Sequence, residues 1–313
     1  MRVVALAGGV GGAKLAHGLQ QVLAPGGLSV VVNTGDDVER HGLLVCPDHD
    51  TVLYTLAGLA DREHGWGLAD ETWSAIDQLD RLGEDTWFRL GDRDLALHVL
   101  RTARLRGGAR LTEVARDVAA RLGVSTRILP MSDDPVRTRV RAPDGWLDFQ
   151  DYFVRLRQAP DVLEVRFEGA ASARPTPEVL DALAGAEAVV ICPSNPVVSI
   201  GPILAVPGIA AALAAARARG VPVVAVSPIV AGRALRGPAG RMLVSLGEES
   251  SVVGVARRYA GLADVLVVDE VDAALAPAVE AAGPRAVVAA TVMTDDASRA
   301  ALARTALRAA SRA

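Results

Sequence analysis

Six short apolar runs constrain the fold of this 313-residue chain more than any other feature: "VVALA" (3–7), "SVVV" (29–32), "AVVIC" (188–192), "VPVVAV" (221–226), "DVLVVD" (264–269) and "AVVAA" (286–290). None alternates apolar with polar residues, so each reads as a strand covered on both faces, as in a parallel sheet. Helix-patterned stretches at 12–23, 176–186, 207–219 and 249–260 separate several of them. This repetition predicts an α/β chain, a Rossmann-like, doubly wound, mostly parallel sheet with right-handed crossovers. Half of the residues are hydrophobic, enough to bury a large core.

The rhythm breaks in the middle. "DETWSAIDQLDRLG", "DRDLALHVLRTARLRGG" and "LTEVARDVAARLG" have helical spacing, "RILP" and "DVLEVRFEG" are strand-like, and residues 136–153 read as a hairpin around Pro143-Asp144-Gly145. The expected organisation is a nucleotide-binding core of residues 1–55 and 171–313, interrupted by a helical and β-hairpin insertion at 56–170 that forms part of an acceptor pocket. A closing helix begins near Asp295 or Asp296 as its cap.

Net charge is −4, which gives no electrostatic footprint for nucleic acid. Cys46 and Cys192 form neither a disulfide framework nor a zinc spacing, and the five histidines read as structural or exposed, without metal-ligand spacing. The apolar run after Arg2 is short and ends in glycines, as a buried strand does and a leader does not. No stretch approaches the ~18 apolar residues of a membrane span. A soluble cytoplasmic protein is expected.

Two neighbouring stretches carry the chemistry. "ALAGGVGGAKLAHGL" passes from strand through a glycine turn into a helix, where backbone N–H groups and the helix dipole favour an anion. It departs from the P-loop at Ala13 and Leu15, and Lys14 breaks the dinucleotide glycine pattern. A ligand-free tight turn is the other reading. Lys14 is the only lysine among 33 basic residues, either by chance or because a compact ammonium fits where a guanidinium does not. "NTGDDVERHGLLVCPDHDTVLY" then follows the second strand at the carboxyl edge of the sheet, where ligands of such folds bind. Its aspartates suit a hard cation completed by substrate phosphate, with Asp37 and Asp50 the preferred pair; alternatively they are turn formers, and Asp50-Thr51 caps a helix.

Four further loops are candidates. "WFRLGDRDLALH" offers Arg89 and Arg93 as anion clamps or as local salt-bridge partners of its aspartates. "PMSDDPVRTRV" is an acidic turn suited to a lid contact. "CPSNPVVSIGPI" is a stiff polar loop with Ser194, Asn195 and Ser199, and "SPIVAGRALRGPAGRML" brings Arg233, Arg236 and Arg241. Several such loops at one sheet edge predict a small-molecule cleft.

Taken in order, "LAGGVGGAK", "VVNTGDD", "CPDHDTVLY", "GWG", "LGDRD", "LPMSDDPV", "FQDYFV", "PSNPVVSIGPIL", "SPIV", "GPAG" and "MTD" resemble the 2-phospho-L-lactate transferase family of coenzyme F-420 biosynthesis over nearly the whole chain. "LAGGVGGAK" and "PSNPVVSIGPILAVPGI" are most similar to its actinobacterial, phosphoenolpyruvate-type branch. The resemblance implies a magnesium-dependent, homodimeric enzyme. It would move a phospholactyl or phosphoenolpyruvyl group from a guanosine diphosphate-linked donor to the ribityl hydroxyl of the deazaflavin FO, releasing GMP. It further implies magnesium on Asp37 and Asp50, with Asp36 or another loop carboxylate taking the acceptor's proton. The FO ring would lie near Asp50 and Arg89 or Arg93, and the donor against Gly9, Gly11, Gly12, Lys14, Ser194 and Asn195. A nucleotide-sugar-binding regulator on the same core is the alternative. A dinucleotide-dependent oxidoreductase is opposed by the broken third glycine and by Asn33 at the end of the second strand.

Overall fold

The computed structural model describes residues 1–63 and 65–312; His64, one of the five histidines read above, lies outside them. Its centre is a seven-stranded sheet. We number its strands β1 (Val3–Ala7), β2 (Leu28–Val32), β3 (Arg127–Pro130), β4 (Ala188–Ile191), β5 (Val223–Val226), β6 (Val265–Asp269) and β7 (Arg285–Ala289). They lie in the order β7-β6-β5-β4-β1-β2-β3, every neighbouring pair parallel. All six apolar runs are strands, and the α/β doubly wound expectation holds.

Period-two geometry sends alternate side chains of each strand to opposite faces. On β1, Val4 and Leu6 join one buried cluster while Val3, Ala5 and Ala7 join the other. Helix α1 (Gly9–Val22) packs on the second face beside the closing helix Asp296–Ala310. Gly18 allows that close approach, since a Cβ there would stand 2.2 Å from the Arg299 carbonyl oxygen. The closing helix is capped by Asp295, in a reciprocal box with Ser298.

The segment 56–170 differs from the expected insertion in one respect. Its strand "RILP" is β3, the outer strand of the central sheet, so the interruption falls into two pieces. Helix α2 (Pro47–Leu56) leads into it, and before β3 come α3 (Ser74–Arg81), α4 (Asp92–Arg106) and α5 (Leu111–Arg121). After it, Arg137–Ala142 pairs with Gly145–Asp148 as the expected hairpin and with Glu164–Glu168 on its other side. A π-helical turn, Asp151–Arg155, follows the hairpin and carries the "FQDYF" stretch toward the sheet edge. Among the described residues, no helix is long and apolar enough to cross a membrane.

Candidate active site

Strand order reverses at β1, whose neighbours β2 and β4 lie on either side, so the loops leaving these strands diverge and open a crevice. A cavity of about 890 Å³ occupies it. Gly8, Gly9, Gly11 and Lys14 form its floor, Pro193, Ser194, Asn195 and Ser199 one side, and Asp36, Asp48 and Asp50 another.

The glycines are required by contact more than by conformation. A Cβ on Gly8 would stand 2.2 Å from Asp48 Oδ2, on Gly11 2.3 Å from the Pro193 carbonyl oxygen, and on Gly12 2.5 Å from Ser194 Oγ. Gly9 alone of this group has a left-handed φ, +63°. Gly12 packs beneath the site without lining the cavity. The Gly8 amide donates to Ser194 Oγ at 3.0 Å, tying the β1 loop to the β4 loop.

The acids split into three settings. Asp36 and Asp48 are a pair: Asn33 Nδ2 donates to Asp36 Oδ1 at 3.1 Å and to Asp48 Oδ2 at 2.9 Å. Asp48 also accepts from the Gly9 amide and the Ser199 hydroxyl and shares a hydrogen bond with Asp36. Burial pushes Asp48 up to about 6, and burial followed by the charges of Asp48 and Asp37 lifts Asp36 well above the carboxylate range. A pair of this kind favours a shared proton or a bound cation.

Asp37 points elsewhere. It accepts from Cys46 Sγ at 3.2 Å and lines a separate hollow of about 100 Å³ with Arg137 and Asp133. Burial pushes it up to about 7 against the opposing charge of Arg137.

Asp50 belongs to a buried seam between α2 and α4. Pro47 opens α2, with Cys46 as its cap residue and Asp48 and Asp50 in the first turn, where carboxylates complement the dipole. Asp50 is therefore inside the helix, three residues past its start, and is not its cap. Two residues apart is about 200° around a helix, so Asp48 faces the glycine turn while Asp50 faces α4. Arg101, only 1% exposed, pairs with Asp50. Burial opposes ionisation of Asp50, but Arg101, His49 and His98 outweigh it and hold the carboxyl below its ordinary range.

His98, expected to be structural or exposed without metal-ligand spacing, is fully buried. It follows Asp94 by four residues on α4, and Asp50, Asp94 and His98 each offer a ligand atom within 4.8 Å of the others. Arg101 Nη1 lies 3.3 Å from His98 Nδ1, and its fixed charge already compensates Asp50, so this group reads as a polar seam joining two helices.

The fourth wall is aromatic. Trp87, Phe88, Phe149, Phe153 and Tyr54 line it. Phe149 and Phe153 stack with ring planes 5° apart, and Gln150 between them donates to the Asp36 carbonyl at 3.2 Å. Arg40 covers the Trp87 ring at 4.4 Å from its centroid. Arg89 lines the cavity, over Trp73 and 3.0 Å from Asp77, whereas Arg93 binds the Ala69 carbonyl outside it.

Thus the cavity gathers Asp36, Asp50, Gly9, Gly11, Lys14, Arg89, Ser194 and Asn195, and leaves Asp37, Gly12 and Arg93 outside its lining. Asp48, the aromatic wall and the Thr291–Thr294 segment are additions to that set.

A family model described as 2-phospho-L-lactate transferase CofD matches residues 3–309. The chain belongs to that family. Similar members include a phosphoenolpyruvate transferase of Streptomyces griseus, 47% identical over 313 residues and covering 98% of each chain. A 2-phospho-L-lactate transferase of Methanosarcina barkeri is 40% identical over 292 residues, covering 93% of each. The fold is shared with a crystal structure of a UPF0052-family protein from Bacillus halodurans, with a TM-score of 0.61, 16% identity and coverage of 98% of each chain. For a CofD-family transferase, the motifs at the ends of β1, β2 and β4 all meet at one cavity.

Proposed function

We propose that this chain transfers a phosphorylated three-carbon acid, enolpyruvyl or lactyl, from a guanosine diphosphate-linked donor to the ribityl hydroxyl of the deazaflavin FO, releasing GMP. The observation that carries the reading is a single cavity combining a glycine turn at a helix start, a carboxylate pair beside it and an aromatic wall opposite. The names of the Streptomyces and Methanosarcina relatives suggest the transferred group, and the higher identity to the former favours enolpyruvyl.

The glycine turn and Ser194 hold the donor's phosphates through N–H and O–H donors, and the aromatic wall takes a planar ring in a dry setting. The donor set beside the turn fits magnesium: oxygen ligands only, on carboxylates whose burial and mutual repulsion call for positive charge. Asp36 and Asp48 would hold the ion, with Asp50 across α2; Asp37, turned to the second hollow, leaves the metal pair proposed with Asp50. When bound, magnesium would neutralise phosphoryl oxygens and make the phosphorus a better electrophile. Ionised Asp50 stays available on the acceptor side to orient the attacking hydroxyl or take its proton.

Purified protein incubated with FO, magnesium and each guanosine-linked donor should release GMP, read by mass spectrometry. Asp36→Asn and Asp48→Asn should lower turnover by about 100-fold or more, whereas Asp37→Asn should stay within about tenfold of wild type. No FO binding and no GMP from either donor would reject the transferase reading in favour of a nucleotide-sugar-binding regulator.

A further inference from the structure

We propose that Lys14 binds the phosphate that departs with the nucleoside, so that the donor lies across the start of α1 with its reacting phosphorus on the acidic side and its leaving phosphate on the lysine side. This rests on the transferase reading above and adds the direction of the substrate within the cavity.

The cavity is electrically polarised. On one side stand Asp36, Asp48 and Asp50. The aromatic wall belongs to the same side, because Gln150, between Phe149 and Phe153, is bonded to Asp36. On the other side is Lys14. Residues 10 and 14 share one face of α1; a Cβ on Gly65 would stand 3.5 Å from Val10 and 2.1 Å from Arg236 Nη1, which places Arg236 over that face. Gly8 and Gly12 face Asp48 and Ser194 instead. The two poles are therefore different sides of one helix start, both open to the same cavity.

Lys14 carries uncompensated charge. Its ammonium has three donors. One bonds the Met293 carbonyl at 3.0 Å, a neutral acceptor, and among the described residues no carboxylate forms an ion pair with it. Asp296, the nearby acid, is taken by Arg299 at 3.2 Å and by Arg62 at 3.2 Å. Burial, Arg299 and Arg236 together lower the Lys14 pKa, and an anion bound beside the amine would offset that repulsion. An arginine here would add a third guanidinium near those of Arg299 and Arg236, whereas an ammonium is more compact.

The chemistry follows from this placement. The acceptor hydroxyl oxygen forms a bond to the phosphorus bearing the organic acid, on the aromatic and acidic side. The bond from that phosphorus to the bridging oxygen breaks, and the electron pair leaves on the bridging oxygen with the nucleoside monophosphate. The hydroxyl proton passes to a carboxylate of the acidic side. Negative charge thus grows on the leaving phosphate, where Lys14 stabilises it.

Because Lys14 is the only lysine, amine chemistry addresses it with one competitor, the exposed α-amine of Met1. Pyridoxal 5′-phosphate condenses with a neutral amine, losing water, and borohydride fixes the imine as a secondary amine. Peptide mass mapping should show Lys14 labelling slowed about tenfold or more by millimolar inorganic pyrophosphate and by GDP, with Met1 unaffected. Equal Lys14 labelling with and without pyrophosphate overturns the proposal. Protection by pyrophosphate but not by GDP upholds the lysine site and rejects the guanosine-linked donor. Lys14→Met should weaken pyrophosphate binding by about tenfold or more in calorimetry. Unchanged affinity in a folded variant also overturns it.

Discussion

Replacing Arg101 by methionine tests the seam that fixes Asp50. Arg101 is fully enclosed between α2 and α4, bonded to Asp50 and, at 3.2 Å, to the Leu44 carbonyl. Methionine matches its stem and removes the charge, leaving a buried carboxylate facing His49 and His98 alone. Removing one partner of a buried pair costs about 3–5 kcal/mol, a fifth or more of the ~5–15 kcal/mol that stabilises a typical domain. The sign of the pH dependence is diagnostic. In the native chain Asp50 is held below its unfolded pKa, so its contribution is complete above about pH 4 and is lost as pH falls further. Without Arg101, burial dominates and lifts the Asp50 pKa above the unfolded value, so the penalty is relieved as pH falls. Urea denaturation at about pH 7.5 and about pH 5 should show the deficit of Arg101→Met narrowing at the lower pH. Adding Asp50→Asn should recover about 2 kcal/mol or more at neutral pH. A deficit below about 1 kcal/mol, or one that widens on acidification, would refute this account of the seam.

Gly8→Ala should place a Cβ 2.2 Å from Asp48 Oδ2 on backbone that is already extended (φ −162°), displacing the carboxylate without straining the chain. Turnover should fall about 100-fold while the thermal midpoint moves by only a few degrees; normal turnover would argue against Asp48 in the reaction. Gly18→Ala should destabilise the fold by about 1–3 kcal/mol through the Arg299 carbonyl, although alanine is the better helix former, and an unchanged urea midpoint would contradict that contact. Trp87→Leu removes the ring under Arg40 and Arg155. It should raise KM for the proposed deazaflavin acceptor about tenfold with GDP affinity unchanged; a parallel loss of both would mean that the aromatic wall serves the fold instead.

The central sheet was legible because strands buried on both faces leave unbroken apolar runs, and all six such runs are its strands. The seventh, Arg127–Pro130, is four residues long at the sheet edge, and its membership depends on β2, about a hundred residues earlier in the chain. The glycine turn and the polar loop after β4 were legible from residue type. Which aspartate points inward was not. Asp36 and Asp37 are adjacent in a turn, and only the placement of Asn33 and Cys46 separates their directions. Asp48 was hidden by helix phase: a helix starting at Asp50 leaves Asp48 in a loop, whereas the true start at Pro47 turns it toward Gly8. Arg101, in a helix rich in arginine, looks like surface until α2 is laid against it.

The placement of Asp48 and Asp50 on one turn of α2 has a mechanical consequence. In the proposed reaction the first faces the donor's phosphates and the second the acceptor side, and the same turn of backbone carries both. Because the two side chains project about 200° apart, a rotation of α2 about its own axis would carry the carboxylates in opposite senses, so a change that tightened one half-site would loosen the other. Arg101, held on α4 and paired with Asp50, ties the rotational setting of α2 to the helix packed against it.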